Sequence, residues 1–134
     1  MVASLEDIDK VVKELYNIIA QKDIVVLLRG DLASGKTTLV KEYLKFIGDD
    51  SVVTSPTFSI QNIYNNDIYH YDIYNKSTLE FVSSGLLEEF EKSGIHFVEW
   101  GGEDLETILE DYGFDVVTID IKKNDESREY IIGS

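Results

Sequence analysis

A chain of 134 residues that is 43% hydrophobic and 11% aromatic is long enough for one packed domain and too apolar for wholesale disorder. Its 26 acidic and 12 basic residues leave a formal net charge of −14, which disfavours free-standing binding to nucleic acid or an anionic membrane, where clustered Lys and Arg are required. Cysteine is absent; that excludes disulfides, thiolate chemistry and Cys-based zinc sites, and agrees with a reducing cytoplasm.

No apolar run approaches the ~20 residues of a membrane helix, and Met1 to Lys10 lacks a basic segment followed by an apolar one. The expectation is a cytoplasmic protein with no membrane association and one domain over residues 1–134. The acidity grows along the chain: residues 1–60 hold 9 acids and 7 bases, residues 61–100 hold 7 and 2, and residues 101–134 hold 10 and 3. A solvated surface accounts for this most simply, with an acidic face for a basic partner as the alternative.

Ser4-Leu5-Glu6-Asp7 resembles a capping box, and Leu5, Ile8, Val11, Val12, Leu15 and Ile19 recur at helical spacing, predicting a helix to about Ala20. Ile24 to Leu28 is a short, wholly apolar run and reads as a strand buried on both faces. Gly30 to Gly35 interrupts the pattern, and Thr37 to Ile47 resumes helical spacing until Gly48. From Thr57 to Tyr74 the character is β, with a hairpin turn at Asn65-Asn66. Ser77 to Glu80 is a capping box opening a helix that Gly85 breaks, and a short acidic helix follows from Leu86 to Lys92. Ile95 to Glu99 reads as a second buried strand and Glu103 to Asp111 as a helix stopped near Gly113. Phe114–Ile121 and Arg128–Ile132 form a last hairpin around Lys122–Ser127. Alternating helices and strands predict an α/β sheet with antiparallel strands added to a parallel core; with the glycine-rich Gly30–Thr37 segment, G-x-x-x-x-G-K-[ST], the expectation becomes a three-layer α/β domain of P-loop NTPase type.

Gly30-Asp31-Leu32-Ala33-Ser34-Gly35-Lys36-Thr37 fits G-x-x-x-x-G-K-[ST], entered by an apolar strand and left by a helix. Its glycines let the backbone curl and turn N–H groups inward, and the helix start adds partial positive charge. Lys36 is expected to span the β- and γ-phosphates of ATP and Thr37 to ligate Mg²⁺; Thr38 is a second hydroxyl nearby. Such a loop needs a carboxylate for Mg²⁺ and a group that orients the attacking water. Glu99, at the carboxyl end of a buried strand, opens toward the ligand crevice, and Trp100 follows it. His70, Asp72 and Tyr74 share one face of an extended segment, so Asp72 and His70 are candidates to approach the phosphates; whether Asp72 or Glu99 acts on water stays open. The two histidines, His70 and His96, lack further ligands at zinc spacing. Tyr64, Tyr69, Tyr71 and Tyr74 are explained by strand propensity more economically than by base stacking. Ser55-Pro56-Thr57-Phe58 is either a rigid turn or a γ-phosphate-sensing switch. Only Arg29 and Arg128 are present, too few for the Arg-rich lid of a small-molecule kinase, and no N-K-x-D motif supports a GTPase. A nucleotide-dependent scaffold without essential hydrolysis is the remaining alternative.

Together these segments resemble the TsaE family, small P-loop ATPases of threonylcarbamoyladenosine (t6A) synthesis on tRNA. The family's GDLGAGKTT is matched by Gly30 to Thr38, its SPTF by Ser55-Pro56-Thr57-Phe58, its HxDxY by His70, Asp72 and Tyr74, and its VEW by Val98-Glu99-Trp100. Ala33 stands where the family usually has Gly, Asn75 where Arg commonly follows HxDxY, and Gly101-Gly102-Glu103 shifts an acid that often lies two residues beyond the Trp. The resemblance implies an ATPase that is slow alone and stimulated by a TsaB–TsaD complex, which ATP hydrolysis resets between turnovers. It also implies that tRNA is held mostly by those partners. Asp72, Glu99 and Trp100 fall on family positions tied to activity, and Thr37 with Glu99 on its Mg²⁺ site. Thr57, His70 and Trp100 are candidate partner or switch residues. An arginine finger, if used, comes from a partner or from Arg128, which is alternatively a candidate to flank the adenine pocket.

Overall fold

The computed structural model of the protein describes residues 2–4, 8–30, 35–51, 53, 61–65, 67–74, 77–83, 85–124 and 127–133. In chain order these form β1 (Val2–Ser4), α1 (Ile8–Ile19), β2 (Ile24–Arg29), α2 (Lys36–Phe46), β3 (Gln61–Tyr64), β4 (Ile68–Asp72), α3 (Thr78–Ser83), a 3₁₀ helix (Leu86–Glu91), β5 (Ile95–Glu99), α4 (Glu103–Asp111), β6 (Val116–Asn124) and β7 (Ser127–Gly133). One seven-stranded sheet runs in the order β1-β7-β6-β2-β5-β4-β3. Strands β6, β2, β5 and β4 are mutually parallel, and β7, β1 and β3 add antiparallel edges. The expected mixed sheet with a parallel core is therefore present.

Strand β2 occupies the centre because its sequence has no polar face. Val26 and Leu28 point into a core with Val11, Val12, Leu15, Leu39, Val40 and Leu44 of α1 and α2. Val25 and Leu27 point the other way, against Leu105 and Leu109 of α4 and Phe90 of the 3₁₀ helix. Helices thus cover both faces, giving three layers. Each such aliphatic side chain, once buried, contributes about 1.5–3 kcal/mol.

Helix α1 buries Ile8, Val11, Val12, Leu15 and Ile19, the stripe read from the sequence apart from Leu5, which lies outside the described residues. Ser4 closes strand β1, paired in register with Ser127 of β7; Leu5, Glu6 and Asp7, the rest of the expected capping box, lie outside the described residues. Three residues are too short a run for strand periodicity to register, and pairing with β7 supplies the missing stabilisation. The final hairpin extends closer to its turn than expected, to Asn124 and from Ser127, because ladder hydrogen bonding continues through polar residues, and β6 begins at Val116 rather than Phe114. The capping box at Ser77 is present: the Glu80 N–H donates to Ser77 Oγ at 3.1 Å and the Ser77 N–H to Glu80 Oε1 at 3.3 Å. Gly48 ends α2 with φ 82°, its N–H bonding Lys45 O while the Asp49 N–H bonds Leu44 O. That is the paired arrangement of a Schellman stop. Asn65 of the predicted turn follows β3 and Asn66 lies outside the described residues; the left-handed residue described before β4 is Asp67, at φ 55°.

His96 of β5 is buried under aromatic rings. It stacks on Tyr69 at 4.5 Å and 6°, and Phe90 meets it edge-on. Its Nε2 donates to Lys92 O at 2.8 Å, so its Nδ1 accepts the Tyr71 hydroxyl at 2.8 Å. Burial, the largest influence, holds its pKa below the ordinary 6.5. A folded-state pKa below the unfolded one means the unfolded chain binds more protons in the interval between them, so this contribution is present above pH ~6.5 and is lost as pH falls through the folded value. Chemical denaturation between pH 7 and 5 is expected to show stability falling, with a shallower fall in His96→Phe; equal slopes would contradict this source of acid sensitivity.

Candidate functional site

The carboxyl ends of β2, β4 and β5 meet the amino end of α2, the place where parallel α/β sheets open a crevice. Gly30 leaves β2 with φ 149° and Gly35 enters α2 with φ 100°; Asp31, Leu32, Ala33 and Ser34 between them lie outside the described residues. Lys36 and Thr37 occupy the first turn of α2, with Thr38 half-buried behind them. Asp72 and Glu99 end neighbouring parallel strands in direct register. The alternation of β4 and β5 puts His70, Asp72 and Glu99 on the sheet face that α2 covers.

Glu99 is the hub. It is 3% exposed, and one oxygen, Oε2, accepts the Thr37 hydroxyl at 2.8 Å and lies 2.5 Å from His70 Nε2. His70 is fully buried, and its Nδ1 lies 2.9 Å from the Tyr64 hydroxyl. Burial raises the Tyr64 pKa above 10, with a hydrogen bond from Asn62 opposing. His70 therefore sits behind Glu99 rather than facing the crevice. Asp72, 8% exposed, accepts the Tyr74 N–H at 3.0 Å, which turns the chain away after β4.

Lys36 is also held. Its ammonium donates to Gly30 O at 2.8 Å and lies 3.8 Å above the Trp100 ring; a cation over an aromatic face gains about 0.5–2 kcal/mol. Trp100 reaches that position with φ 71°, a left-handed conformation costing a bulky residue about 1–3 kcal/mol. Its N–H bonds Leu28 O at 3.0 Å and its ring lies 4.7 Å from Tyr74. Arg29 steadies the segment beyond: Nε donates to Gly101 O and Nη2 to Glu106, both at 2.7 Å.

Arg128, far along the chain on β7, returns to the loop. Its guanidinium lies against Gly35, where an added Cβ would stand 2.8 Å from Nη1 and 3.0 Å from Cζ. Nη1 is buried and makes no hydrogen bond among the described residues, a donor suited to an anion at the loop. Gly35→Ala combines a strained φ with this overlap, so it is expected to lower stability by about 1–3 kcal/mol in denaturant unfolding; an unchanged midpoint would contradict the close approach.

The structure thus places Gly30, Gly35, Lys36, Thr37, Asp72, Glu99 and Trp100 where the carboxyl ends of β2, β4 and β5 meet the amino end of α2, with Arg128 against Gly35 and His70 bonded to Glu99. Thr57 lies outside the described residues. Arg29 and Tyr64 were not singled out as site residues from sequence. The Tyr64 link arises from β3 pairing with β4, and no local motif announces it; Arg29 was visible only as the residue before Gly30.

A family model described as "Threonylcarbamoyl adenosine biosynthesis protein TsaE" matches residues 2–130. The chain belongs to the TsaE family. Among TsaE proteins it is 37% identical over 94 residues to the tRNA threonylcarbamoyladenosine biosynthesis protein TsaE of Bacillus subtilis, covering 68% of this chain and 59% of that one. The Haemophilus influenzae TsaE is 38% identical over 92 residues, covering 64% and 57%. The chain therefore spans a little under three-fifths of the length of these curated relatives. The crystal structure of Bacillus subtilis YdiB superposes with a TM-score of 0.67 at 28% identity, covering 97% of this chain and 80% of that one. Within this TsaE chain no described helix is long and apolar enough to cross a membrane.

Proposed function

We propose that the chain is a Mg²⁺-dependent ATPase of tRNA t6A synthesis, slow alone, whose cycle resets a complex of TsaD and TsaB homologues. The observation that carries this reading is the Thr37–Glu99–His70 cluster at the mouth of a G-x-x-x-x-G-K-T loop. The donor set suits the metal: a hydroxyl and a carboxylate are hard oxygen ligands, and Mg²⁺ keeps most of its remaining positions for water and phosphate. Thr37 and Glu99 would hold Mg²⁺, which when bound neutralises charge on the β- and γ-phosphates.

The chain's own groups do the rest. The residue 30–35 amides and the α2 amino end hold the phosphates, Gly30, Asp31, Leu32, Ala33, Ser34 and Gly35 supplying the loop and Thr38 a further hydroxyl. Lys36 leaves Gly30 O and the Trp100 face to reach the γ-phosphate. Arg128, whose guanidinium lies against Gly35, turns toward the nucleotide. Asp72, ending the strand beside Glu99 in direct register, orients the water whose oxygen bonds to the γ-phosphorus as the bond to the bridging oxygen breaks, yielding ADP and inorganic phosphate.

Arg29 is committed to Gly101 and Glu106, which leaves a transition-state arginine to Arg128 or a partner; such a finger contributes about 10³–10⁵ in rate. The acidic surface and −14 charge fit a chain that meets tRNA through its partners. Thr57, in the SPTF segment, and Trp100 are the proposed switch and partner contacts. The test is phosphate release by the chain with and without TsaB–TsaD homologues. Slow turnover alone and stimulation of about tenfold or more are expected; rapid unstimulated turnover would count against partner control.

A further inference from the structure

We propose that His70, braced by the Tyr64 hydroxyl, is a positioning residue that fixes the Glu99 carboxylate for metal binding; this rests on the reading of Thr37 and Glu99 as the Mg²⁺ pair. His70 contributes nothing directly to the crevice, being fully buried. Its two ring nitrogens are both engaged, Nδ1 with the Tyr64 hydroxyl at 2.9 Å and Nε2 with Glu99 Oε2 at 2.5 Å.

The direction of these bonds follows from their chemistry. A carboxylate only accepts, so Nε2 carries the hydrogen. In the neutral ring Nδ1 then accepts, and the Tyr64 hydroxyl donates to it while taking the hydrogen bond of Asn62. The relay runs Asn62 to Tyr64 to His70 to Glu99, from edge strand β3 through β4 to β5. Its output is one fixed N–H aimed at the oxygen that also accepts Thr37. Side chains behind metal ligands act in this way: they hold the ligand's orientation, and their loss weakens metal binding about 10- to 100-fold. His96 is likewise bonded at both nitrogens; what distinguishes His70 is that one partner is the Glu99 oxygen that also accepts Thr37.

The experiment titrates the full chain with ATP by calorimetry, once in EDTA and once across a Mg²⁺ series. His70→Ala is expected to raise the Mg²⁺ needed for half-maximal tight binding by about 10- to 100-fold, leave ATP affinity in EDTA unchanged, and be largely rescued in His70→Gln, whose amide restores an N–H. An unmoved Mg²⁺ requirement, or equal losses with and without metal, overturns the proposal. If His70→Ala does not fold, Tyr64→Phe decides: a rise of about three- to tenfold in the Mg²⁺ requirement supports the relay, and no rise overturns it. Wild-type chain that takes up no ATP under either condition refutes the site reading itself, a result distinct from a normal wild-type titration with an unmoved variant.

Discussion

Replacing Lys36 by Ala is expected to weaken magnesium-ATP binding by at least about 100-fold, equivalent to about 2.7 kcal/mol, while the fold persists. Lys36 is 3% exposed, an unusual environment for an ammonium unless something compensates it. In this structure Gly30 O and the Trp100 face do so. Both are weak partners beside a polyphosphate, so transfer of the ammonium from them to the γ-phosphate favours the bound state. Removing it strips the site of the only cation described in the first turn of α2. Little stability should go with it, because taking a charge out of a buried position offsets the lost cation–π contact; a melting shift within about 5 °C is expected. The chain contains one tryptophan, so Trp100 emission reports the lysine's departure on ATP addition. Near-normal ATP affinity in Lys36→Ala would contradict the role.

Glu99→Gln should separate binding from hydrolysis. The amide keeps the shape of Glu99 and an acceptor for the Thr37 hydroxyl, but it loses the negative charge that would hold the metal. ATP is expected to bind still, with phosphate release down about 100- to 1,000-fold. The variant also distinguishes an ATPase from a scaffold. A scaffold that only binds nucleotide would keep its effect on TsaB–TsaD homologues in Glu99→Gln, whereas a hydrolysis-driven cycle would stall. Retention of full hydrolysis would remove Glu99 from the metal site.

Much of the fold was legible because its signals are local. The wholly apolar Ile24–Leu28 run marks the centre of a parallel sheet, the α1 stripe is matched from Ile8 to Ile19, and Ser77 with Glu80 forms its box. Gly48 and Gly113 stop helices at φ 82° and 85°. What escaped the sequence is what pairing across the chain creates. Strand β1 exists because β7 offers it a ladder, and the last hairpin extends for the same reason. Within the site, the loop, Glu99 and Asp72 were visible as motifs, since each occupies a strand end or helix start whose chemistry is set locally. The arrangement behind them was not. His70 read as a residue facing the phosphates, yet only the register of β4 on β5 shows that it backs Glu99. Tyr64 joins the relay through β3, and Arg128 meets Gly35 across the length of the chain.

The central claim is that the segment between Arg29 and Thr37 wraps a nucleotide triphosphate beside a divalent ion. Calorimetric titration of the folded chain with ATP and Mg²⁺ tests it most directly. Saturable one-to-one binding that weakens when EDTA removes the ion is the predicted result; a flat titration from chain whose circular dichroism and cooperative melt show it folded would contradict the account.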